Sequence, residues 1–360
     1  MSILPAPLVI RFGRLGDTIL LQPLLQKLHQ RYGRPCQLLA LGDWPAALYA
    51  GQPEVGGFIR LNAQGGPLWL SPQRVAATLA LRAWRQSPVY VCEPAYRTRT
   101  KIRPMLALAG ISPRYCSFIE DLPSVEDEHW VDWLWRFADV TPSAFDGVPL
   151  ASLTPGVPAP QLQVSAAEHA DAEAWRCANG IAGTPLVLLQ PANKRTMRWN
   201  GVRNADDDDK SWPSDRWARV ARTIVDELPQ AQVLFCGSAA EAGYLDALVD
   251  AAATASSRIT AAALPLGRLK ALLASAHSMV SVDTGPAHLA AAVGCPLVVL
   301  MGGRSPHLWK PRSASGSAVS LLGGLPDVRR VDQLPVGQVI DAWRSLPQRA
   351  LPPQVLADCA

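Results

Sequence analysis

Ser278-Met279-Val280-Ser281-Val282-Asp283-Thr284-Gly285-Pro286-Ala287-His288-Leu289-Ala290-Ala291-Ala292 reads as a short buried strand, a turn and a helix that starts abruptly. Pro286 suits the first turn of a helix, where its missing N–H is not needed. Thr284 or Gly285 can cap that helix. The orphan N–H groups of such a start, together with the helix dipole, attract phosphate. Asp283, Thr284 and His288 bring polar groups to the same mouth. At the carboxyl end of a strand in an open α/β sheet, this combination suits a nucleotide-linked substrate. The plainer account is a strand-to-helix turn with a capping threonine and a surface histidine.

Working outward, the same alternation recurs. Leu186–Gln190, Gln232–Cys236 and Leu297–Met301 read as strands, and Ser214–Glu227, Ala240–Ala252 and Leu266–Ala274 as helices. The first part of the chain opens the same way. Leu8–Phe12 is a short apolar run, Gly13–Asp17 a loop, and Thr18–Arg31 a helical pattern with Leu20, Leu21, Leu24, Leu25 and Leu28 on one face. Gln37–Leu41 and Val89–Cys92 are further strands, Ile102–Ala109 a helix ended by Gly110, and His129–Ala138 a Trp-rich amphipathic helix. Strands alternating with helices imply mostly parallel sheets. The Pro- and Gly-rich segment Thr141–Leu162 reads as a linker, which places one Rossmann-like domain over 1–160 and another over 161–335. Val336–Leu346 is expected to be a helix, which with the tail to 360 packs back on the first domain.

Composition narrows the classes. The 360 residues are 49% hydrophobic and 18% charged, so the chain is globular. A net charge of +4 argues against a dedicated nucleic-acid binder. The seven cysteines are scattered without a CxxC pair, which fits reduced thiols and no zinc site. No signal peptide and no membrane-spanning run are expected.

Four loops can carry chemistry. In Gly13–Asp17, Gly16 sits at the tight turn from strand to helix, and Asp17 is either an N-cap or a general base. In Gln190–Arg198, Lys194 and Arg195 follow a strand and can hold a diphosphate. In Asp206–Trp217, four consecutive aspartates read as a solvated, mobile acidic run, followed by Lys210, Trp212, Pro213 and Trp217. In Tyr96–Arg103, the four cations Arg97, Arg99, Lys101 and Arg103 stand at a helix start, against the dipole, which favours binding of an anionic partner.

Taken in order, Gly16-Asp17-Thr18…Pro23, Pro191, Lys210-Ser211-Trp212-Pro213…Trp217 and Asp283-Thr284-Gly285-Pro286-Ala287-His288 resemble glycosyltransferase family 9, the lipopolysaccharide heptosyltransferases. The resemblance runs along nearly the whole chain. It implies an α/β fold of GT-B type, two Rossmann-like domains facing across a central cleft. It implies inverting, metal-independent transfer of heptose from ADP-L-glycero-D-manno-heptose to the inner-core oligosaccharide, without a cofactor. Asp17 matches the family's catalytic base. Lys210, Asp283, Thr284, Gly285 and His288 match donor-binding positions, with Gly16, Lys194 and Arg195 beside them. Arg97, Arg99, Lys101 and Arg103 fall where acceptor contacts are expected. A lipid A-core acceptor would place the protein in the cytoplasm, at the inner membrane surface. The spacer from Pro191 to Lys210 is longer than the simple family pattern, and 203–208 is read as a lid over the donor. Two alternatives keep the fold: another nucleotide sugar as donor, or a non-catalytic sugar-nucleotide binder.

Overall fold

Leu8–Arg11 and Ser278–Val282 are buried at every residue, with no alternation between faces. Strands of that kind belong inside parallel sheets covered on both sides. The computed structural model describes residues 4–61, 71–151, 158–198, 201–202, 205–253 and 258–347. The chain divides into two units, Met1–Pro160 and Gln161–Ala360.

The first unit holds β1 (Leu8–Arg11), β2 (Cys36–Leu41), β3 (Val55–Leu61), β4 (Val89–Val91) and β5 (Cys116–Phe118). They form one parallel sheet in the order β3-β2-β1-β4-β5. The second unit begins with β6 (Leu186–Gln190), followed by a small antiparallel hairpin of β7 (Met197–Arg198) and β8 (Gly201–Val202). Then come β9 (Gln232–Gly237), β10 (Ile259–Ala263), β11 (Ser278–Val282), β12 (Leu297–Met301) and β13 (Val319–Gly323). Its six-stranded parallel sheet runs β10-β9-β6-β11-β12-β13. Both sheets therefore have Rossmann order. Each reverses its direction of growth beside its first strand, at β1/β4 and at β6/β11, and ligands of open α/β sheets bind at such points.

Several elements depart from the sequence reading. The helical pattern of 18–31 is two helices, Leu15–Ile19 and Gln22–Tyr32. The strands β3, β5, β10 and β13 and the helix Ala166–Ala178 had not been expected. The helix expected over Val336–Leu346 forms at Val336–Arg344. Val339, Ile340 and Trp343 pack into the second unit's own core, with Trp217 and Ile224 of the helix Ser214–Glu227. Its apolar face finds a partner there, and Trp343 Nε1 donates to Ser278 Oγ at 3.0 Å. Residues beyond 347 lie outside the described set. Among the described residues, Cys36, Cys92, Cys116, Cys236 and Cys295 are free thiols.

The motif Trp212-Pro213…Trp217 is mainly core. Both indoles are buried and meet edge to face at 5.0 Å, and Trp212 Nε1 donates to Leu334 O at 3.1 Å. Pro213 is the N-cap of the helix Ser214–Glu227, so the motif fixes where that helix begins. Trp343→Ala should destabilise the second unit by about 3–5 kcal/mol, the usual cost of emptying a large aromatic site. Urea unfolding followed by tryptophan fluorescence checks this, and a midpoint unchanged from wild type would refute it.

Candidate functional site

The switch point of the first unit is built around a buried guanidinium. Arg11 ends β1 and is 6% exposed. Its Nη2 donates to Asp17 Oδ1 at 2.7 Å, and its Nη1 donates to Cys92 O at 2.7 Å. Glu93 Oε1 lies 3.7 Å from Arg11 Nη1, and the Arg11 guanidinium sits 5.0 Å from the Trp130 ring centroid. Glu93, fully buried after β4, accepts from Phe12 N at 2.5 Å and from Arg97 Nη1 at 3.2 Å. Arg97 also donates to Phe12 O at 3.2 Å. A buried charge is tolerated when paired and hydrogen-bonded, and these contacts supply the pairing.

Asp17 occupies the third position of the helix Leu15–Ile19, and its Oδ2 accepts from Arg14 N at 2.9 Å, a capping contact. Its side chain remains 26% exposed. Each carboxylate oxygen has two lone pairs, so both retain one after these bonds. The close approach that permits this is at Gly13 rather than Gly16. A Cβ on Gly13 would stand 2.4 Å from Asp17 Cβ, whereas Gly16 lies inside the short helix.

In the second unit, Lys210 reaches across the β6/β11 switch point. Its Nζ donates to Asp283 O at 2.5 Å and to Asp283 Oδ2 at 2.6 Å. His288 Nε2 lies 3.9 Å from Asp283 Oδ1. His288 is buried, not a surface residue. Thr284 is the N-cap of the helix Gly285–Ala292, but its side chain does not cap the helix. The hydroxyl turns back to Val282 O at 3.1 Å instead. The amides of this helix start are thus not capped by Thr284. Arg195 is held by the carboxylates of Asp208 and Asp209. Asp208 is 2% exposed, and so departs from the solvated run expected from the sequence, whereas Asp206 and Asp207 are exposed. Of the lid read over 203–208, residues 203 and 204 lie outside the described set, and Asp208 is fixed in place. Among the described residues, no group of three or more His, Cys, Asp or Glu has the geometry to hold a metal ion.

A sequence profile of glycosyltransferase family 9 (heptosyltransferase) matches residues 125–336. The chain belongs to that family. It is 26% identical over 340 residues to lipopolysaccharide heptosyltransferase 2 of Escherichia coli (strain K12), covering 90% of each chain. The solved structure of the E. coli ADP-heptose lps heptosyltransferase II superposes with a TM-score of 0.69 at 21% identity, over 94% of this chain and 98% of that one. The family 9 glycosyl transferase from Veillonella parvula DSM 2008 gives 0.70 at 16% identity, over 96% and 97%. The fold of this family 9 chain is GT-B, with two Rossmann-like units.

Within the family 9 chain, the expected residues sort unevenly. Asp17 stands at one switch point, and Lys210, Asp283, Thr284, Gly285 and His288 gather at the other. Arg97 joins the Glu93 cluster, while Arg103 pairs with Glu120 at 2.8 Å and stacks 3.6 Å over Phe118. Arg99 is largely exposed, 3.8 Å from Glu120. Lys101 lies in the same π-helical turn, Thr98–Ile102. Lys194 is exposed in the loop after β6. Sequence reasoning missed Arg11 and Glu93. A cation as the last residue of a buried strand, and a carboxylate just after another, were the available signals.

Burial raises the thiols beside these loops. Cys236, against Gln190 Oε1 at 3.4 Å, is pushed up to about 12, and Cys92 is raised by burial despite the nearby Arg11. Neither should react with iodoacetamide at pH 7.5 unless the protein is unfolded, which peptide mass spectrometry reads directly. Gly13→Ala should displace Asp17 and, on the expectation that Asp17 is the base, lower the transfer rate about 100-fold, the scale of a catalytic group misplaced by an ångström, with donor affinity unchanged. Steady-state kinetics beside ADP titration separates the two effects.

Proposed function

We propose that this family 9 chain moves a heptose from ADP-L-glycero-D-manno-heptose to the lipopolysaccharide inner core, with inversion and without a metal. The observation that carries the reading is the pair of switch-point sites: a part-exposed Asp17 carboxylate aimed by Arg11 and Arg14 N, and a Lys210 ammonium beside a helix start. The 26% identical relative is a lipopolysaccharide heptosyltransferase, and the E. coli structure is that of an ADP-heptose lps heptosyltransferase.

In this reading Asp17 accepts the proton of an acceptor hydroxyl as its oxygen attacks the anomeric carbon. The bond from that carbon to the diphosphate oxygen breaks on the opposite face, and ADP leaves with the electron pair. Lys210 and the amides of the helix Gly285–Ala292 stabilise the developing charge, the work a metal does elsewhere. Arg195 is engaged by Asp208 and Asp209, and so is a weaker candidate for the diphosphate than Lys210. Arg97, Arg99 and Lys101 are assigned to anionic groups of the acceptor. Arg103, held by Glu120 and Phe118, orders the turn that carries them. No helix of the described residues is long and apolar enough to cross a membrane. A lipid-linked acceptor would bring the enzyme to the cytoplasmic face of the inner membrane.

Mass spectrometry of reactions with ADP-heptose and core acceptors truncated at successive sugars tests the reading. One acceptor should gain a heptose-sized mass, at a rate unaffected by EDTA. Asp17→Asn should lower kcat by about 10²–10⁴-fold while ADP still binds. Transfer from a different nucleotide sugar alone would replace the donor, and ADP-heptose binding without turnover on any acceptor would favour a binding role.

A further inference from the structure

The last two residues of the acidic run, Asp208 and Asp209, lie inside the second unit's site. Asp208 is 2% exposed, too buried to be a solvated carboxylate. Its two oxygens tie together separate parts of the connection between β6 and the helix Ser214–Glu227, and Oδ1 also lies 3.5 Å from Arg195 Nη2. Oδ2 accepts from Asn193 Nδ2 at 2.6 Å, in the loop after β6, and Oδ1 accepts from Lys210 N at 3.2 Å. Asn193 is itself fixed: its Oδ1 accepts from Arg195 N at 2.8 Å, and its N–H donates to Thr196 Oγ1 at 2.9 Å. On the far side, Asp208 O accepts from Ser211 N at 3.0 Å, closing a turn around Lys210. The next residue, Asp209, accepts from Val331 N at 2.8 Å through its carbonyl and holds Arg195 with its carboxylate. A Cβ on Gly302, just after β12, would stand 2.4 Å from Asp209 O, so that loop lies directly against the run.

A continuous path of hydrogen bonds thus leads from Asn193 through Asp208 to the Lys210 backbone, and from Lys210 Nζ to Asp283. It joins the loops after β6 and β11. We infer that Asp208 is a positioning residue for Lys210, and that Asp208 and Asp209 together clasp the Lys210 turn at the switch point. As in the reading above, on which this rests, Lys210 is taken to hold the donor diphosphate. A lysine carries about 2 kcal/mol of rotamer entropy. Asp283 restrains only the ammonium end, and Asp208 restrains the backbone end. With both ends held, less ordering remains to be done when a diphosphate arrives.

ADP titration calorimetry on wild type, Asp208→Asn, Asp208→Ala, Lys210→Ala and the doubles Asp208→Asn/Lys210→Ala and Asp208→Ala/Lys210→Ala tests this, with thermal unfolding run alongside. Asp208→Ala should weaken ADP binding by about tenfold, and show little further effect once Lys210 is gone, because the two act as one unit. Asp208→Asn keeps an oxygen for the Lys210 amide and should lose less. In kinetics the donor KM should rise while the acceptor KM stays put. Equal ADP affinity in wild type and both Asp208 variants, or losses that add in the doubles, would overturn the role given to Asp208 and leave the donor reading standing. If Asp208→Ala does not fold, Asp208→Asn with and without Lys210 decides. A wild-type protein that does not bind ADP would instead remove the donor reading, and the role of Asp208 with it.

Discussion

Each sheet adds strands first to one side of its opening strand and then to the other. The loops leaving β1 and β4, and those leaving β6 and β11, therefore diverge and cannot cover one another. That constraint fixes where polar groups can approach the ends of otherwise apolar strands. The polar groups of both sites stand there: Arg11, Asp17 and Glu93 in the first unit, Asn193, Lys210 and Asp283 in the second. The flanking helices and the paired indoles of Trp212 and Trp217 matter to function chiefly by holding these strand ends in place.

Charge burial then decides what the loops can be. Removing one partner from a buried ion pair typically costs about 3–5 kcal/mol, because the other charge is left uncompensated. Arg11 and Glu93 therefore constrain each other and everything they touch. Glu93 fixes the Phe12 amide and Arg97, and its carbonyl accepts from Thr98 Oγ1 at 3.1 Å, which sets the start of the π-helical turn. Arg11 orients Asp17. The first unit's site is one electrostatic assembly rather than an aspartate on a flexible loop.

The interior of both sheets was legible in the sequence. β1, β2, β4, β6, β9, β11 and β12 are apolar runs that cannot be mistaken once bounded by turns. Within the two parallel sheets, the four strands that escaped, β3, β5, β10 and β13, are the edges. Their reasons are local. β3 carries Gly56 and Gly57, β5 is three residues long, β10 ends in three alanines, and β13 is only half-buried along its length. The helix starting at Gly285 and the strand before it were readable because Pro286 marks the boundary. Arg11, Glu93 and Asp208 were not, since a charge in a sequence looks alike whether it is solvated or buried. Only the fold shows which carboxylates have been taken out of water.

Under the proposed assignment of Lys210 to the donor diphosphate, the Lys210–Asp283 pair gives such burial a purpose. An ammonium has three donors, and Asp283 engages the side chain through its carboxylate and its carbonyl. With a side chain 17% exposed, the lysine has already lost much of its water. An exposed lysine would shed that hydration, and its rotamer freedom, when the phosphate arrived. Lys210 sheds them on folding, so the later step costs less and the charge acts in a medium of lower dielectric. The carboxylate that holds the ammonium also competes with phosphate for it, so affinity is tempered while orientation is kept. For an enzyme that must release its nucleotide product, that balance favours turnover over tight binding.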